Sequence, residues 1–127
     1  LIIHSIILDN TLKKECSLHI IKQKVKMYII NGFFNIKESD IISDLNLTYY
    51  NINVILKKNK MTWLKLINEC KVEILYEKIE NKEIEQSLQE LCIMSGFINM
   101  PSASRLFKLK FGITMKEYIK NNLITTI

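Results

Sequence analysis

Residues 95–118 read SGFINMPSASRLFKLKFGITMKEY, and this stretch decides the predicted fold. Residues 95–99 combine a glycine with small polar side chains, a composition typical of a turn. Residues 100–110 then place apolar side chains three and four positions apart, which predicts an amphipathic helix. Pro101 fits that helix because the first helical turn has no intrahelical N–H bond to lose.

The same stretch indicates which side chains of this helix face the core and where the helix ends. The spacing predicts that Ala103, Leu106 and Phe107 point inward. Gly112 follows as a C-terminal stop, and Thr114 can cap a last helix. The stretch therefore predicts a turn, a capped helix and the start of another helix.

The pattern of short helix, tight turn and capped helix occurs a second time. A helix that starts near Ser39 is followed by a turn with Thr48 as N-cap and by a helix over residues 49–58. Thr48 aligns with Asn99 at an offset of 51 residues, whereas the short helices before the turns align at an offset of 50. The second turn therefore carries one extra residue, and two copies of a helix-turn-helix pattern are a stronger signal than one.

Two further helices complete the predicted architecture. Ser17 can cap a helix that ends at Gly32, and residues 62–80 form a longer helix between the two copies. We therefore expect an all-α fold with two helix-turn-helix subdomains joined by a long linker helix. The predicted domains are an N-terminal extension, a first subdomain with the linker helix and a second subdomain: residues 1–17, 18–80 and 81–127. The extension is an apolar patch followed by charged residues, and it fits the end of an upstream domain, an oligomer contact or a docking segment equally. Because the chain begins with leucine rather than methionine, we expect it to be a fragment.

The long helix carries an apolar side and an acidic side. We expect Leu64, Ile67 and Leu75 to face inward because they recur at helical spacing. The acidic side recurs at spacings of four and three and contains Glu69, Glu73, Glu77 and Glu80. Such a stripe is typical of a solvated face.

Composition favours a helical, intracellular domain. Of the 127 residues, 48% are hydrophobic and 24% charged, so the chain can bury a core. It contains 3 Gly and 1 Pro, too few for the many tight turns of an all-β fold. No apolar run reaches the roughly 18 residues of a membrane-spanning helix. Three distant cysteines, Cys16, Cys70 and Cys92, are expected to be reduced and mostly buried in the cytoplasm.

The sequence does not contain the residue groups that enzymes and metal proteins use. His4 and His19 have no matching carboxylate or cysteine pattern, and no phosphate-binding glycine loop or metal-ligand spacing is present. We therefore expect no enzymatic activity, no catalytic residue, no metal and no cofactor. The net charge of +5 points instead to a polyanionic partner.

Basic residues gather at the two predicted recognition helices. Two acid-free groups carry them: Lys57, Lys58, Lys60 and Lys65 in the first copy, and Arg105, Lys108, Lys110 and Lys116 in the second. Lysines placed in this way suit phosphate contacts. Arg105, the single arginine, can donate two hydrogen bonds to guanine or clamp a phosphate; a surface pair with a glutamate is the alternative. Asn53 can read adenine.

Residues 95–118 resemble the DNA-binding domain of the AraC/XylS family of bacterial transcription regulators. They follow the family pattern of Gly-Phe, a short turn, a recognition helix ending in Phe-Lys, then Phe-Gly, a capping Thr and Glu-Tyr. The resemblance covers about residues 18–122, with Lys60 where the family usually has glycine and Met115 where it has proline. It implies one recognition helix in each of two successive major-groove segments, about 34 Å apart.

The positions of the basic residues and the resemblance to the AraC/XylS family together indicate which residues are expected to contact DNA. The base-reading candidates are Tyr50, Asn53 and Val54 in the first recognition helix, and Met100, Pro101, Ser104 and Arg105 in the second. The phosphate-contacting candidates are Thr48, Tyr49, Lys57, Lys58, Lys60, Asn99, Ser102, Lys108 and Lys110. Because the first helix offers few hydrogen-bonding side chains, it is expected either to read A·T-rich sequence or to contribute mostly shape and backbone contacts. The expected ligand is promoter DNA rich in A·T.

The predicted function is sequence-specific binding of double-stranded DNA by a cytoplasmic, nucleoid-associated transcription regulator, with an activator role implied by the resemblance. An alternative is a protein-interaction module that keeps the fold and modulates another regulator. Membrane attachment is not expected, because the basic groups lie beside core positions. Contact with RNA polymerase stays open, as does a homodimer formed through the N-terminus or a region outside this chain.

Overall fold

The computed structural model describes residues 18–81 and 87–126, and this part of the chain contains helices and turns but no strand. The helices are α1 over residues 18–30, α2 (Glu38–Leu45), α3 (Tyr49–Lys58), α4 (Trp63–Glu80), α5 (Leu88–Met94), α6 (Met100–Phe111) and α7 (Met115–Thr126). The predicted all-α fold is confirmed. The predicted N-terminal extension and the Ser17 cap lie outside the described residues.

Across residues 18–81 and 87–126, no helix has the combination of length and hydropathy that crossing a membrane requires.

Polar side chains cap several of the helices, and the caps at Thr48 and Thr114 are the two among them that the sequence predicts. Thr48 Oγ1 accepts an N–H from the first turn of α3 at 3.1 Å, and Asn99 Oδ1 accepts one from α6 at 2.9 Å. Thr62 and Thr114 cap α4 and α7 in the same way. Each cap satisfies an N–H group that has no partner inside its helix. Gly32 ends α1 as predicted, with φ at +84°.

The buried apolar side chains form two clusters. The first, which we call the N-terminal core, contains Ile21, Val25, Ile29, Ile36, Ile41, Ile52, Leu56, Leu66, Ile67, Cys70 and Ile74. The second, the C-terminal core, contains Val72, Leu75, Ile79, Leu91, Cys92, Phe97, Ala103, Phe107 and Met115. Of the three α6 side chains predicted to point inward, Ala103 and Phe107 are fully buried and Leu106 is half-buried.

α4 supplies side chains to both cores, so both depend on one continuous helix. Leu66 and Cys70 belong to the N-terminal core, and Leu75 to the C-terminal core. The predicted inward position of Leu64 is wrong, since its side chain is 69% exposed. Leu64 precedes Leu66 by two residues, about 200° around the helix, and therefore points away from the N-terminal core. Leu64 also does not reach the C-terminal core, because the first α4 residue of that core, Val72, lies about two helical turns after Leu64.

The turns before α3 and α6 share their backbone hydrogen bonds. Leu47 N–H donates to the Ile42 carbonyl at 3.1 Å, and Phe97 N–H donates to the Cys92 carbonyl at 3.1 Å, an offset of 50 residues for donor and acceptor alike. The N-caps that follow are 51 residues apart. Ile98 supplies the difference, and its side chain is 94% exposed. These offsets agree with those expected from the sequence.

The repeat continues into the helices that follow. Lys60 and Gly112 each lie two residues before a threonine cap, and both have left-handed backbone, with φ at +54° and +80°. Glycine adopts this conformation without a steric cost, whereas a residue with a β-carbon pays roughly 1 kcal/mol or more. Lys60 is therefore a strained position in the turn before α4.

Replacing Lys60 by glycine is expected to raise the free energy of unfolding by about 0.5 kcal/mol, because relief of the left-handed strain exceeds the entropy that glycine adds to the unfolded chain. Urea denaturation without DNA measures the change. The matched control is Lys58→Gly at the end of α3, where glycine is expected to lower the stability by roughly 0.5–1 kcal/mol. A Lys60→Gly chain no more stable than the unaltered one would contradict this account of the turn.

The described cysteines are buried free thiols, as predicted. Cys70 lies in the N-terminal core and Cys92 in the C-terminal core. Burial raises the pKa of Cys70 to about 12 and that of Cys92 above its usual value. Both therefore remain protonated near neutral pH and are poor nucleophiles. Cys16 lies outside the described residues.

Candidate nucleic-acid interface

α3 turns one side to the N-terminal core and the other to solvent. Ile52 and Leu56 are buried, whereas Tyr50, Asn53 and Val54 are exposed. The three predicted base readers of this helix are therefore accessible. A tyrosine ring and a valine side chain can contact thymine methyl groups, and an asparagine amide can pair with an adenine edge.

α6 presents its four predicted base readers unequally. Pro101 and Arg105 are exposed and Ser104 is half-buried. Met100 is half-buried because it packs against the C-terminal core. Within the described residues, the Arg105 guanidinium has neither an ion pair nor a hydrogen bond, so the glutamate pair considered from the sequence is not formed there. Arg105 is thus the most accessible polar side chain among the four predicted base readers of α6.

The predicted phosphate-contacting residues border these exposed sides. Thr48 and Asn99 use their side-chain oxygens as caps, and the Ser102 N–H donates to Asn99. Tyr49 is 56% exposed. Of the predicted phosphate-contacting lysines, Lys57, Lys58, Lys60 and Lys108 are exposed and have no acidic partner within the described residues. The same holds for Lys65, Lys116 and Lys120. These ammonium groups are free to contact an anion.

Lys110 differs from the other predicted phosphate contacts because it belongs to a group of charged side chains from α1, α4 and α6. Its Nζ lies 2.8 Å from the Glu69 carboxylate and 3.4 Å from that of Glu73. The Nζ atoms of Lys22 and Lys26 lie 2.6 and 2.7 Å from the Glu73 carboxylate. We call these five residues the charged cluster; their side chains are 15–31% exposed.

The charged cluster corrects the prediction that the acidic side of α4 is a solvated face. Glu69 and Glu73 are covered by lysines from the neighbouring helices, while Glu77 and Glu80 are exposed as expected. The sequence held a signal for this contact. Two lysines four residues apart on α1 complement two glutamates four residues apart on α4, a spacing that puts each pair on one helix face.

The contacts in the charged cluster favour the ionised forms of its members. Burial by itself would raise the pKa of Glu73, but hydrogen bonds from Lys22 and Lys26 outweigh it and hold the pKa at about 2. Burial opposes ionisation of Glu69 as well, yet the hydrogen bond from Lys110 leaves its pKa below the usual value. Burial would lower the pKa of Lys22, and its contact with Glu73 raises the pKa instead.

Replacing Glu73 by glutamine is expected to lower the free energy of unfolding at pH 7 by about 2 kcal/mol, because Lys22 and Lys26 lose their closest anion. The folded-state pKa of about 2 lies below the ordinary 4.5, so the carboxylate stabilises the fold above about pH 4.5. That contribution is lost as the pH falls towards 2. The gap in stability between the unaltered chain and Glu73→Gln should therefore shrink across this interval.

Urea denaturation at pH 7, 5 and 3 measures the effect. The matched control is Glu77→Gln on the same helix, which removes an exposed carboxylate and is expected to change stability by less than about 0.5 kcal/mol. An undiminished difference between the unaltered chain and Glu73→Gln at pH 3 would show that the ion pairs are not its source.

A groove of about 390 Å³ lies between the turn that follows α3 and the side of α6. Its basic lining residues are Lys60, Lys65 and Lys110, and its apolar ones include Leu106 and Leu109. The end of α3 and the C-terminal half of α6 thus border the same surface. The Glu69 carboxylate also lines the groove and pairs with Lys110, so Lys60 and Lys65 are its unpaired cations within the described part of the chain.

A contact between the loop that follows α1 and the turn before α6 lies on the other side of α4 from the charged cluster. Gly96 has φ at +100°, and a β-carbon built there would lie 3.1 Å from the Phe34 ring and 3.2 Å from the Lys71 side chain. Lys71 follows Glu69 by two residues and is therefore about 200° around the helix from it. Burial lowers the pKa of Lys71. Sequence reasoning identified Gly96 as a turn residue but missed this contact.

Residues 18–81 and 87–126 hold no group of three or more histidine, cysteine or carboxylate side chains arranged to bind a metal ion. Comparison of the chain with protein-family models, with curated proteins and with solved structures finds no match. A function for the chain is therefore inferred from its residues and their geometry.

Proposed function

We propose that the chain binds double-stranded DNA sequence-specifically through α3 and α6, as the DNA-binding domain of an AraC/XylS-like transcription regulator. In this proposal the two helix-turn-helix subdomains are α2–α3 and α5–α6, and α4 is the linker helix. The observation that carries the proposal is the repeat itself. Two capped helices follow turns with equivalent hydrogen bonds, and both leave polar and basic side chains exposed.

The distribution of charge supports a nucleic-acid partner. Two α4 carboxylates, Glu69 and Glu73, are neutralised by the lysines of the charged cluster. Among the described residues, free ammonium groups lie at the end of α3, at the start of α4, on α6 and also on α7. A duplex carries one negative charge for each nucleotide, and lysines in this arrangement can neutralise phosphates on both sides of a groove.

Exposed side chains of different chemistry suit different bases. Arg105 can donate two hydrogen bonds to guanine O6 and N7 from α6, and Asn53 can pair with adenine from α3. Tyr50 and Val54 offer apolar contact to thymine methyl groups. The proposed site therefore combines an A·T-rich segment under α3 with a segment containing guanine under α6.

Selection of bound sites from random duplex DNA tests this function. The expected result is two conserved short motifs, one A·T-rich and one with guanine, separated by about one helical turn. Binding should weaken steeply with salt. In a plot of the logarithm of the binding constant against the logarithm of the salt concentration, each contacted phosphate should make the slope more negative by about 0.9. Enrichment of no sequence at low salt would overturn the proposal. Activation of transcription, contact with RNA polymerase, homodimer formation and a nucleoid location are further proposals that follow from the family resemblance.

A second candidate function is a protein-interaction module that modulates another regulator. The observation that favours it is the exposed apolar side of α1, where Ile20, Met27 and Ile30 are 45%, 54% and 65% exposed. Capture of another regulator by the Arg105→Ala/Lys108→Ala chain, together with no DNA affinity in the unaltered chain, would support this function. Loss of capture in Met27→Glu/Ile30→Glu would assign it to α1.

A further inference from the structure

We propose that the charged cluster of Lys22, Lys26, Glu69, Glu73 and Lys110 fixes the position of α6 relative to α3, so that the protein accepts two DNA half-sites at one spacing only. The part of this inference that concerns DNA spacing rests on the proposed function. Its structural part, a fixed separation of two helices, can be measured without DNA.

Each carboxylate of the cluster contacts a lysine on α1 and a lysine on α6. Glu69 lies 2.8 Å from Lys110 on α6 and 3.5 Å from Lys22 on α1. Glu73 lies 2.6 Å from Lys22 and 3.4 Å from Lys110. α1 belongs to the N-terminal core and α6 to the C-terminal core. The two carboxylates on α4 therefore link α1, which packs in the N-terminal core, to α6, which packs in the C-terminal core.

The contact at Gly96 restrains the opposite side of α4. Phe34 comes from the loop between α1 and α2, and Gly96 from the turn that leads into α6. The Lys71 side chain packs with Phe34 against Gly96. Rotation of the C-terminal core about α4 would open either this contact or the charged cluster. Restraints on two sides of the shared helix thus hold α6 in one orientation.

Lys110 has a different role in this inference from the other basic residues of α6. Its ammonium group is already within 4 Å of two carboxylates, whereas Lys108 is exposed and has no acidic partner among the described residues. A phosphate at Lys110 would have to compete with both glutamates. We therefore assign Lys110 to positioning α6 and Lys108 to contacting DNA.

A fixed separation has a direct consequence for the DNA. Each base pair inserted between two half-sites moves one of them by about 3.4 Å and turns it by roughly 35° around the duplex axis. A protein whose two recognition helices keep one separation cannot follow that change without losing contacts. Spacing, in addition to base sequence, would then determine which promoters are bound.

Distance measurement between spin labels on α3 and α6 tests the structural part. The labels are placed at Val54 and Leu109, whose side chains are exposed and outside the cluster, in a Cys16→Ser background; Cys70 and Cys92 are buried. We expect one narrow distance distribution in this background and a broader or shifted one after Glu69→Gln or Lys110→Met. Two matched controls, Glu77→Gln and Lys108→Met, should keep the narrow distribution.

Far-UV circular dichroism identifies any variant that fails to fold, in which case the other cluster variant decides the result. Distributions identical to the controls for every folded cluster variant would overturn the inference.

Binding to half-sites whose separation is changed by one base pair tests the consequence on DNA. The unaltered chain should lose about tenfold or more in affinity, comparable to one mismatched base pair, and the Glu69→Gln chain about threefold or less. An equal loss in both chains overturns the inference and leaves the proposed function intact. An unaltered chain that selects no DNA sequence overturns the proposed function and the DNA consequence together, while the label distances still decide the role of the cluster.

Discussion

Replacing Arg105 by alanine is expected to remove discrimination at one or two base pairs of the bound site, at a cost of about 1–3 kcal/mol for the preferred sequence. Arg105 is the single arginine of the chain, its side chain is exposed on α6, and it has no partner within the described residues. Alanine removes both guanidinium donors and leaves the helix intact, since alanine is the best helix former. Competition binding with sites mutated one base pair at a time measures the loss.

The matched control for Arg105→Ala is Lys108→Ala on the same helix. A phosphate contact carries no sequence information, so Lys108→Ala should weaken binding to all sequences alike and reduce the salt slope by about 0.9. The assignment of the two roles is contradicted if Arg105→Ala lowers affinity equally for every competitor site, or if Lys108→Ala changes the base preference.

Replacing Phe107 by alanine is expected to cost about 3–5 kcal/mol of stability, the largest single effect on the fold. Phe107 is fully buried in the C-terminal core, and its ring centroid lies 4.7 Å from that of Phe111 and 6.0 Å from that of Tyr118. Truncation removes these contacts and leaves a cavity that the helices cannot fill. The free energy of unfolding in urea measures the effect, with Leu109→Ala as a control because Leu109 is 81% exposed.

The same denaturation curves test whether the two cores unfold together. Since α4 supplies residues to both, destabilising the C-terminal core should weaken the N-terminal core as well, and the chain should unfold in a single transition. Two separated transitions in the Phe107→Ala chain, with the N-terminal core keeping its original stability, would show that α4 does not couple the unfolding of the two cores.

Much of the local structure could be predicted from the sequence because it depends on residues close together in the chain. Thr48 and Thr114 act as caps, and Gly32 ends α1, through contacts within a few residues. The single extra residue of the second turn followed from comparing the two copies. Such features depend on backbone geometry and short-range hydrogen bonds, which the sequence specifies directly.

Contacts between distant segments were harder to predict. The exposed Leu64 and the paired Glu69 have residue types and spacings that fit either a core or a solvated face. What separates the alternatives is which helix lies against α4, and that depends on long-range packing. Lys110 illustrates the same limit, since its surroundings in the sequence suggest a phosphate contact and its surroundings in the fold are two carboxylates.

We propose that α3 and α6 enter successive major-groove segments on one face of a duplex. Hydroxyl-radical footprinting on a selected site tests it most directly, because cleavage reports protection of individual sugars. We expect two short protected segments whose centres lie about one helical turn, 10–10.5 base pairs, apart on the same face. A single protected segment, or two segments on opposite faces of the duplex, would contradict it.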